Sequence, residues 1–138
     1  IILYLDVSTN AAQYGTMLAT PQLADFTDRL CTANSSNELV GAFFISSRHE
    51  IADMWTGMGH LDAVSLPIEH IITLGQRSAS SQIMLVHTHP SGDPRPSNQD
   101  MVATKRLRAC LMNHDIRLFD HIILAQKRYF SFRRSGLL

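Results

Sequence analysis

Only two cysteines occur in 138 residues, Cys31 and Cys110, and they lie 79 positions apart with no CxxC spacing. Neither a disulfide framework nor a thiolate zinc site is suggested, and reduced, core-facing thiols are expected. No stretch approaches the ~20 apolar residues of a membrane-spanning helix, and no basic-then-apolar leader resembles a signal peptide. A soluble, cytoplasmic protein is therefore expected. There is no excess of either charge, since 12 Lys and Arg balance 12 Asp and Glu, so the globally basic composition typical of nucleic-acid binding is missing. Internal repeats and low-complexity segments are missing too. A chain that is 45% hydrophobic and 17% charged can close one core at this length, and the length argues against two domains. It begins at Ile1 rather than methionine, as expected of a fragment or processed chain that has lost a partner domain.

The neutral total hides an asymmetry. Residues 1–100 carry four basic and ten acidic side chains, whereas residues 101–138 carry eight basic ones, among them Lys105, Arg106, Arg133 and Arg134, and two acidic ones. A positive carboxy-terminal quarter suits an anionic partner such as nucleic acid, although solvated helix faces and tails give the same count.

Apolar periodicity divides the chain into elements. Residues 1–17 start with the apolar run IILYL and read as a short strand or ordered arm. Thr20 followed by Pro21 predicts a helix start, continued by Leu23, Phe26 and Leu30 until the polar Asn34-Ser35-Ser36-Asn37. Leu39–Ile45 and Ile51–Thr56 read as a hairpin around the turn-like Ser46–Glu50. Pro67 opens a second helix with Ile68, Ile71, Ile72 and Gly75 on one side. QIMLVH, residues 82–87, is a short apolar run of the kind found in buried strands. Asn98–Asn113 reads as a third helix, with Met101, Val102, Leu107 and Leu111 as its apolar positions. Ile116–Leu124 and Tyr129–Phe132 predict a closing hairpin. Trp55 and the methionines at 54, 58, 84, 101 and 112 are read as packing residues rather than a cofactor box.

The chemistry concentrates in HTHPSGDPRPSNQD, residues 87–100. At the end of a strand, alternation puts His87 and His89 on one face, ~7 Å apart at their roots, with Thr88 turned away. Two imidazoles so placed can share one metal. Zinc takes nitrogen at ~2.0–2.1 Å, and a catalytic site needs a third ligand and one open position. Asp100 is the obvious third ligand. Pro90, Pro94 and Pro96 stiffen the intervening loop, which lowers the entropic cost of holding it in place. In isolation Ser97-x-x-Asp100 reads as a helix capping box. The preceding His-x-His makes coincidence improbable, and a capping serine can still aim its hydroxyl at the site.

The His-x-His motif, the seven-residue gap and Ser-x-x-Asp together resemble the JAMM or MPN-plus metalloprotease signature, and HTHPSGDPRPS resembles its RadC branch. TPQLADFTDRL, ELVGAFFIS, GHLDAV, LFDHIIL and YFSFRRSGLL extend the resemblance over residues 18–138 and leave 1–17 outside. It implies a single-domain α/β fold of the JAB/MPN type, cytidine-deaminase-like, with a curved, mainly antiparallel sheet and flanking helices. It also implies one zinc ion held by His87, His89 and Asp100, and hydrolysis of a peptide or isopeptide bond. The family's catalytic glutamate precedes an early apolar strand, and Glu38 in ELVGAFFI fits that place. Taken alone Glu38 would be a solvated strand-edge acid. Glu50, in a turn, and Glu69, in a helix's first turn, are its competitors. Ser97 is expected to stabilise the oxyanion.

His49, His60, His70, His114 and His121 lack ligand spacing and are expected on the surface or hydrogen-bonded in the core. Asp120-His121 matches the family's DH pair. Neighbours on a strand point to opposite faces, however, so a structural role is expected for that pair. A DNA-processing or repair factor is the alternative reading, and a non-catalytic binding module ranks last because every expected ligand is present. The motifs do not specify a physiological substrate or an oligomeric state.

Overall fold

A computed structural model describes residues 36–126 and 128–138. The expected arm over 1–17, the expected helix from Thr20, and Cys31 lie outside the described residues. Strands β1 (Leu39–Ser46) and β2 (Ile51–Met58) form the expected hairpin. Its turn is closed by the Ser46 amide donating to the Glu50 carbonyl at 2.9 Å. Helix α1 (Ile68–Arg77) starts behind Pro67 and buries Ile68, Ile71, Ile72 and Gly75, the side marked by the i, i+3, i+4, i+7 spacing. Gly75 is needed for close approach, because a Cβ there would stand 3.0 Å from Ile116 Cδ1.

Strand β3 (Ser80–Thr88) leads through a loop into helix α2 (Asn98–Met112), then β4 (Arg117–Ala125) and β5 (Arg128–Ser131). The five strands form one open sheet in the order β2-β1-β3-β4-β5. Every pairing is antiparallel except β3–β4, the pair that α2 joins, as a parallel connection requires a crossover. The α/β, mainly antiparallel expectation therefore holds.

The apolar residues of β1 and β3 are buried on both faces, which explains why LVGAFFI and IMLV read as continuous runs rather than alternations. On the helix side, Val40, Ala42, Phe44, Ile83 and Leu85 pack with Ile71, Leu107 and Leu111. On the other side Phe43, Ile45, Met84, Val86, Phe119 and Ile122 form a second cluster. Helix α2 turns Asp100, Ala103, Thr104, Leu107 and Leu111 inward. The expectation that Val102 packs is wrong, since it is exposed, one step off that stripe. Met58 and Met112 are exposed as well, so of the methionines read as packing residues only Met84 is fully buried.

Between β3 and β4 the register slips. Ile83 stands opposite Leu118 but Met84 stands opposite Asp120, so Phe119 is an extra residue in β4. A one-residue bulge inverts the alternation downstream of it. Leu118 belongs to the helix-side cluster. Simple alternation would send Asp120 there too, yet it is His121 that reaches α2.

Candidate metal centre

His87 is the penultimate residue of β3 and is fully buried, and His89 follows two positions on, at the start of the loop. Alternation puts both rings on the helix side of the sheet, while the Thr88 hydroxyl turns away to accept from the Leu39 amide at 2.9 Å. Asp100 arrives from the first turn of α2 and is also buried. His87 Nε2 and His89 Nε2 stand 2.9 Å apart. The Asp100 carboxylate lies 3.2 Å from the first through Oδ1 and 3.3 Å from the second through Oδ2. Zinc bonds of ~2.0–2.1 Å in a tetrahedron set neighbouring donor atoms about 3.3 Å apart. The three contacts are of that size, although they engage different carboxylate oxygens, and with one ligand atom per residue the donors lie within 4.8 Å of one another.

The expected capping box is present as well, and it serves the cluster. Ser97 Oγ accepts from the Asp100 amide at 3.0 Å, and the Ser97 amide donates to Asp100 Oδ2 at 2.7 Å. The second contact fixes the carboxylate's orientation. His89 Nδ1 donates to the Asp93 carbonyl at 2.8 Å, which leaves Nε2 as the bare nitrogen. The loop is in turn tied down by Arg128 donating to the Gly92 carbonyl at 2.7 Å, and Gly92 turns at φ 84, in the region open to glycine.

Electrostatics follow from the packing. Burial pushes the Asp100 carboxyl up, but the contacts with the His87 and His89 rings outweigh it and hold the group well below its usual value. The hydrogen bond to Asp100 raises the His89 pKa against the effect of its own burial. Burial holds the His121 pKa well below 6.5. With both Nε2 atoms unprotonated, two imidazole lone pairs and a carboxylate face one another across about 3 Å, and among the described residues no other donor stands between them. Acceptors in that arrangement repel unless a cation or a proton stands among them. The nitrogen-rich donor set fits zinc.

A profile of the RadC-like JAB domain matches residues 18–137. The chain belongs to the RadC-like JAB domain family. A UPF0758 protein of Coxiella burnetii is 36% identical over 103 residues, which is 74% of this chain and 46% of that protein. One from Listeria innocua is 35% identical over 94 residues, 67% of this chain and 42% of that protein. One from Clostridium acetobutylicum reaches 49% identity over 59 residues, 43% of this chain and 26% of that protein. Each match spans less than half of the relative's length.

In this RadC-like JAB domain Glu38 directly precedes β1. Val40 pairs with His87 in the antiparallel β1–β3 ladder, so one further two-residue step brings Glu38 level with His89, on the same face. Its Oε2 accepts from the Leu61 amide at 3.3 Å, and Oε1 lies 3.3 Å from His60 Nδ1. Its charge also acts on His89, raising that ring's pKa. Glu50 sits in the hairpin turn at the far end of β1, and Glu69 is exposed on α1. Glu38 therefore lies on the sheet face that carries His87 and His89, and its competitors lie elsewhere.

His121 is hydrogen-bonded in the core and His60 is exposed, as expected, but their places beside the metal cluster, with that of Thr104, are not predicted by the sequence. His121 contacts His87, Thr104 contacts His121, and His60 contacts Glu38. Thr104 had a legible signal, since it lies four residues after Asp100 on one helix face. His60 had none, because the turn that carries it back to Glu38 is set by the Gly59 amide donating to the Glu38 carbonyl at 2.9 Å. Cys110 is half-buried against the core, as a reduced structural thiol would be.

Proposed function

We propose that this domain is a zinc-dependent hydrolase that cleaves amide bonds, of the peptide or isopeptide kind, with Glu38 as the proton carrier. The observation that carries this reading is the convergence of His87 Nε2, His89 Nε2 and the Asp100 carboxylate on one point, on the sheet face that Glu38 shares. Zinc held there supplies Lewis acidity, lowering the pKa of water to about 7 and polarising a carbonyl oxygen.

The protein's own groups do the rest. Glu38 takes the proton of the attacking water and later delivers it to the leaving amine, as microscopic reversibility demands of a single acid–base group. Its two carboxylate oxygens are steadied by the Leu61 amide and by His60. Ser97 Oγ accepts from the Asp100 amide and still keeps its own proton to offer a developing oxyanion. The buried apolar wall of β3 beneath the histidines limits water to the open side of the cluster.

Nucleic acid is the second reading, favoured by the eight basic residues after position 100. Four of those eight hydrogen-bond to other residues of the domain, although Arg106, Arg128 and Arg134 remain on its surface. Arg106 donates to the Ala63 carbonyl, Arg128 to Gly92, Arg133 to Phe119 and Arg134 to the Tyr129 hydroxyl. The amide-hydrolysis reading is preferred because the His87, His89 and Asp100 cluster shares its face with Glu38.

The test combines metal analysis with hydrolysis. The protein purified without added zinc retains about one equivalent, whereas His87→Ala and Asp100→Ala lose it. Metal-dependent cleavage across a broad peptide and isopeptide library is expected. Equal zinc in all three proteins, or Glu38-dependent cleavage of DNA with none of any amide, overturns the proposal.

A further inference from the structure

His121 is fully buried, and both of its ring nitrogens are engaged. Nε2 stands 2.7 Å from His87 Nδ1, and Nδ1 stands 2.7 Å from Thr104 Oγ1. Phe132 stacks on the ring with centroids 4.4 Å apart and planes inclined by 16°. The direction of every bond in this chain follows from its one terminus that can only accept. The Asp100 carbonyl lies 2.5 Å from Thr104 Oγ1, and a carbonyl has no proton to give. Thr104 therefore donates its single hydroxyl proton there.

Toward His121 the Thr104 oxygen can then only accept, so His121 carries its proton on Nδ1. The ring's two partners are a hydroxyl and an imidazole, with no carboxylate in contact among the described residues, so it is the neutral form that is buried. Its Nε2 is bare and accepts from His87 Nδ1. His87 is left with Nε2 unprotonated, aimed at His89 and Asp100. His89 reaches the same state by a shorter route, donating Nδ1–H straight to the Asp93 carbonyl. His87 has a neighbouring strand where His89 has a loop carbonyl, and the bulge at Phe119 turns His121 into that place.

We propose that His121, oriented by Thr104 and Phe132, is a positioning residue that locks His87 in the tautomer and ring orientation needed to present Nε2 to a metal. The relay starts and finishes on Asp100, whose carbonyl takes the last proton and whose carboxylate joins the cluster. It couples the seating of α2 on the sheet to the state of a ligand on β3. The role in metal binding rests on the zinc reading above; the tautomer assignment does not.

The full chain tests both parts. In the metal-free protein, nitrogen-15 NMR of the imidazoles is expected to show His87 and His121 each protonated on Nδ1. Zinc affinity, measured by competition with a chelator, falls ~10- to 100-fold in His121→Leu, the range seen when an outer partner of a ligating histidine is lost. His121→Gln keeps most of the affinity, because its amide oxygen can accept from His87 Nδ1. Thr104→Val weakens binding and Thr104→Ser restores it, a pair that decides the matter if His121→Leu does not fold. A merely structural role would rank zinc affinities as it ranks melting temperatures, with Leu tolerated at least as well as Gln. His87 protonated on Nε2 in the metal-free wild type overturns the proposal, and so does unchanged zinc affinity in folded His121→Leu and Thr104→Val. Failure of the wild type to bind zinc overturns the metal reading, while the ring spectrum still judges the relay by itself.

Discussion

Asp120 and His121 are adjacent on β4 and both fully buried, yet they belong to different networks. Asp120 faces away from the helices. Its Oδ1 accepts from the His121 amide at 2.7 Å and the Arg133 amide at 3.0 Å, and its Oδ2 from the Ser131 hydroxyl at 2.5 Å. These partners come from β4, β5 and the turn that follows, away from the metal cluster. The His121 side chain faces the helices, and its network runs through His87 to bare nitrogens that meet a carboxylate. A satisfied buried polar network holds a fold rigid. One that ends in converging lone pairs points to something the protein must bind.

The two networks predict opposite phenotypes. The largest separation is expected for Glu38→Gln, which shares the helix-side face with the histidines. It should keep zinc, fold and melting temperature but lose ~100-fold or more of any hydrolytic activity, as expected when a proton carrier is removed. Glu50→Gln should be indistinguishable from wild type. Loss concentrated in Glu50→Gln or Glu69→Gln would assign the wrong acid to the site.

Asp120→Ala should behave the other way. It strips the acceptor from two amides and a hydroxyl in a buried setting, a cost of about 3 kcal/mol or more in denaturant unfolding. Zinc affinity of the fraction that remains folded should not change. A large fall in zinc affinity would merge the two networks and remove the distinction between the faces of β4.

A smaller effect, in pH, should belong to the metal cluster. Burial opposes the ionised Asp100 carboxylate, but its histidine partners hold its folded pKa below the ordinary 3.8. That stabilisation is fully present above pH 3.8 and is lost as pH falls through the depressed value. Asp100 raises the His89 pKa above the ordinary 6.5. That stabilisation is fully present below pH 6.5 and is lost as pH rises through the raised value. In the metal-free protein the cluster therefore stabilises most between about pH 4 and 6.5. Zinc needs unprotonated imidazoles, so loading should carry the stability maximum upward. Chemical unfolding across pH with and without zinc reads this directly. Identical profiles in the two states would count against a metal at these residues.

Most of the described fold was legible because its signals are local. Apolar runs gave β1 and β3, Pro67 and the isoleucine spacing gave α1, and Ser97 with Asp100 marked the start of α2. His87 and His89 were legible because strand alternation fixes which side chains share a face. The same rule correctly parted Asp120 from His121. What it cannot supply is which of the two faces the site, since the bulge at Phe119 is a violation of alternation that depends on the register between β3 and β4. Val102 and Met58 were misread because hydrophobicity alone does not fix which side of an element is covered. Glu38 was chosen by family likeness, and only the β1–β3 register gives it a geometric reason.

Ser97 touches both functions at once, and its substitution should have the smallest effect on the fold. Its hydroxyl caps α2 while its amide holds Asp100 Oδ2. Ser97→Ala removes the cap, at about 1 kcal/mol, but leaves the amide clamp, so zinc affinity should stay close to that of wild type. If the hydroxyl also donates to an oxyanion, kcat falls while KM does not. Ser97→Asp separates the two roles, because a carboxylate caps a helix as well as serine does but has no proton to donate at neutral pH. Stability should then return without activity, whereas Ser97→Thr should keep both. Recovery of activity together with stability in Ser97→Asp would make Ser97 a cap that positions Asp100 and nothing more.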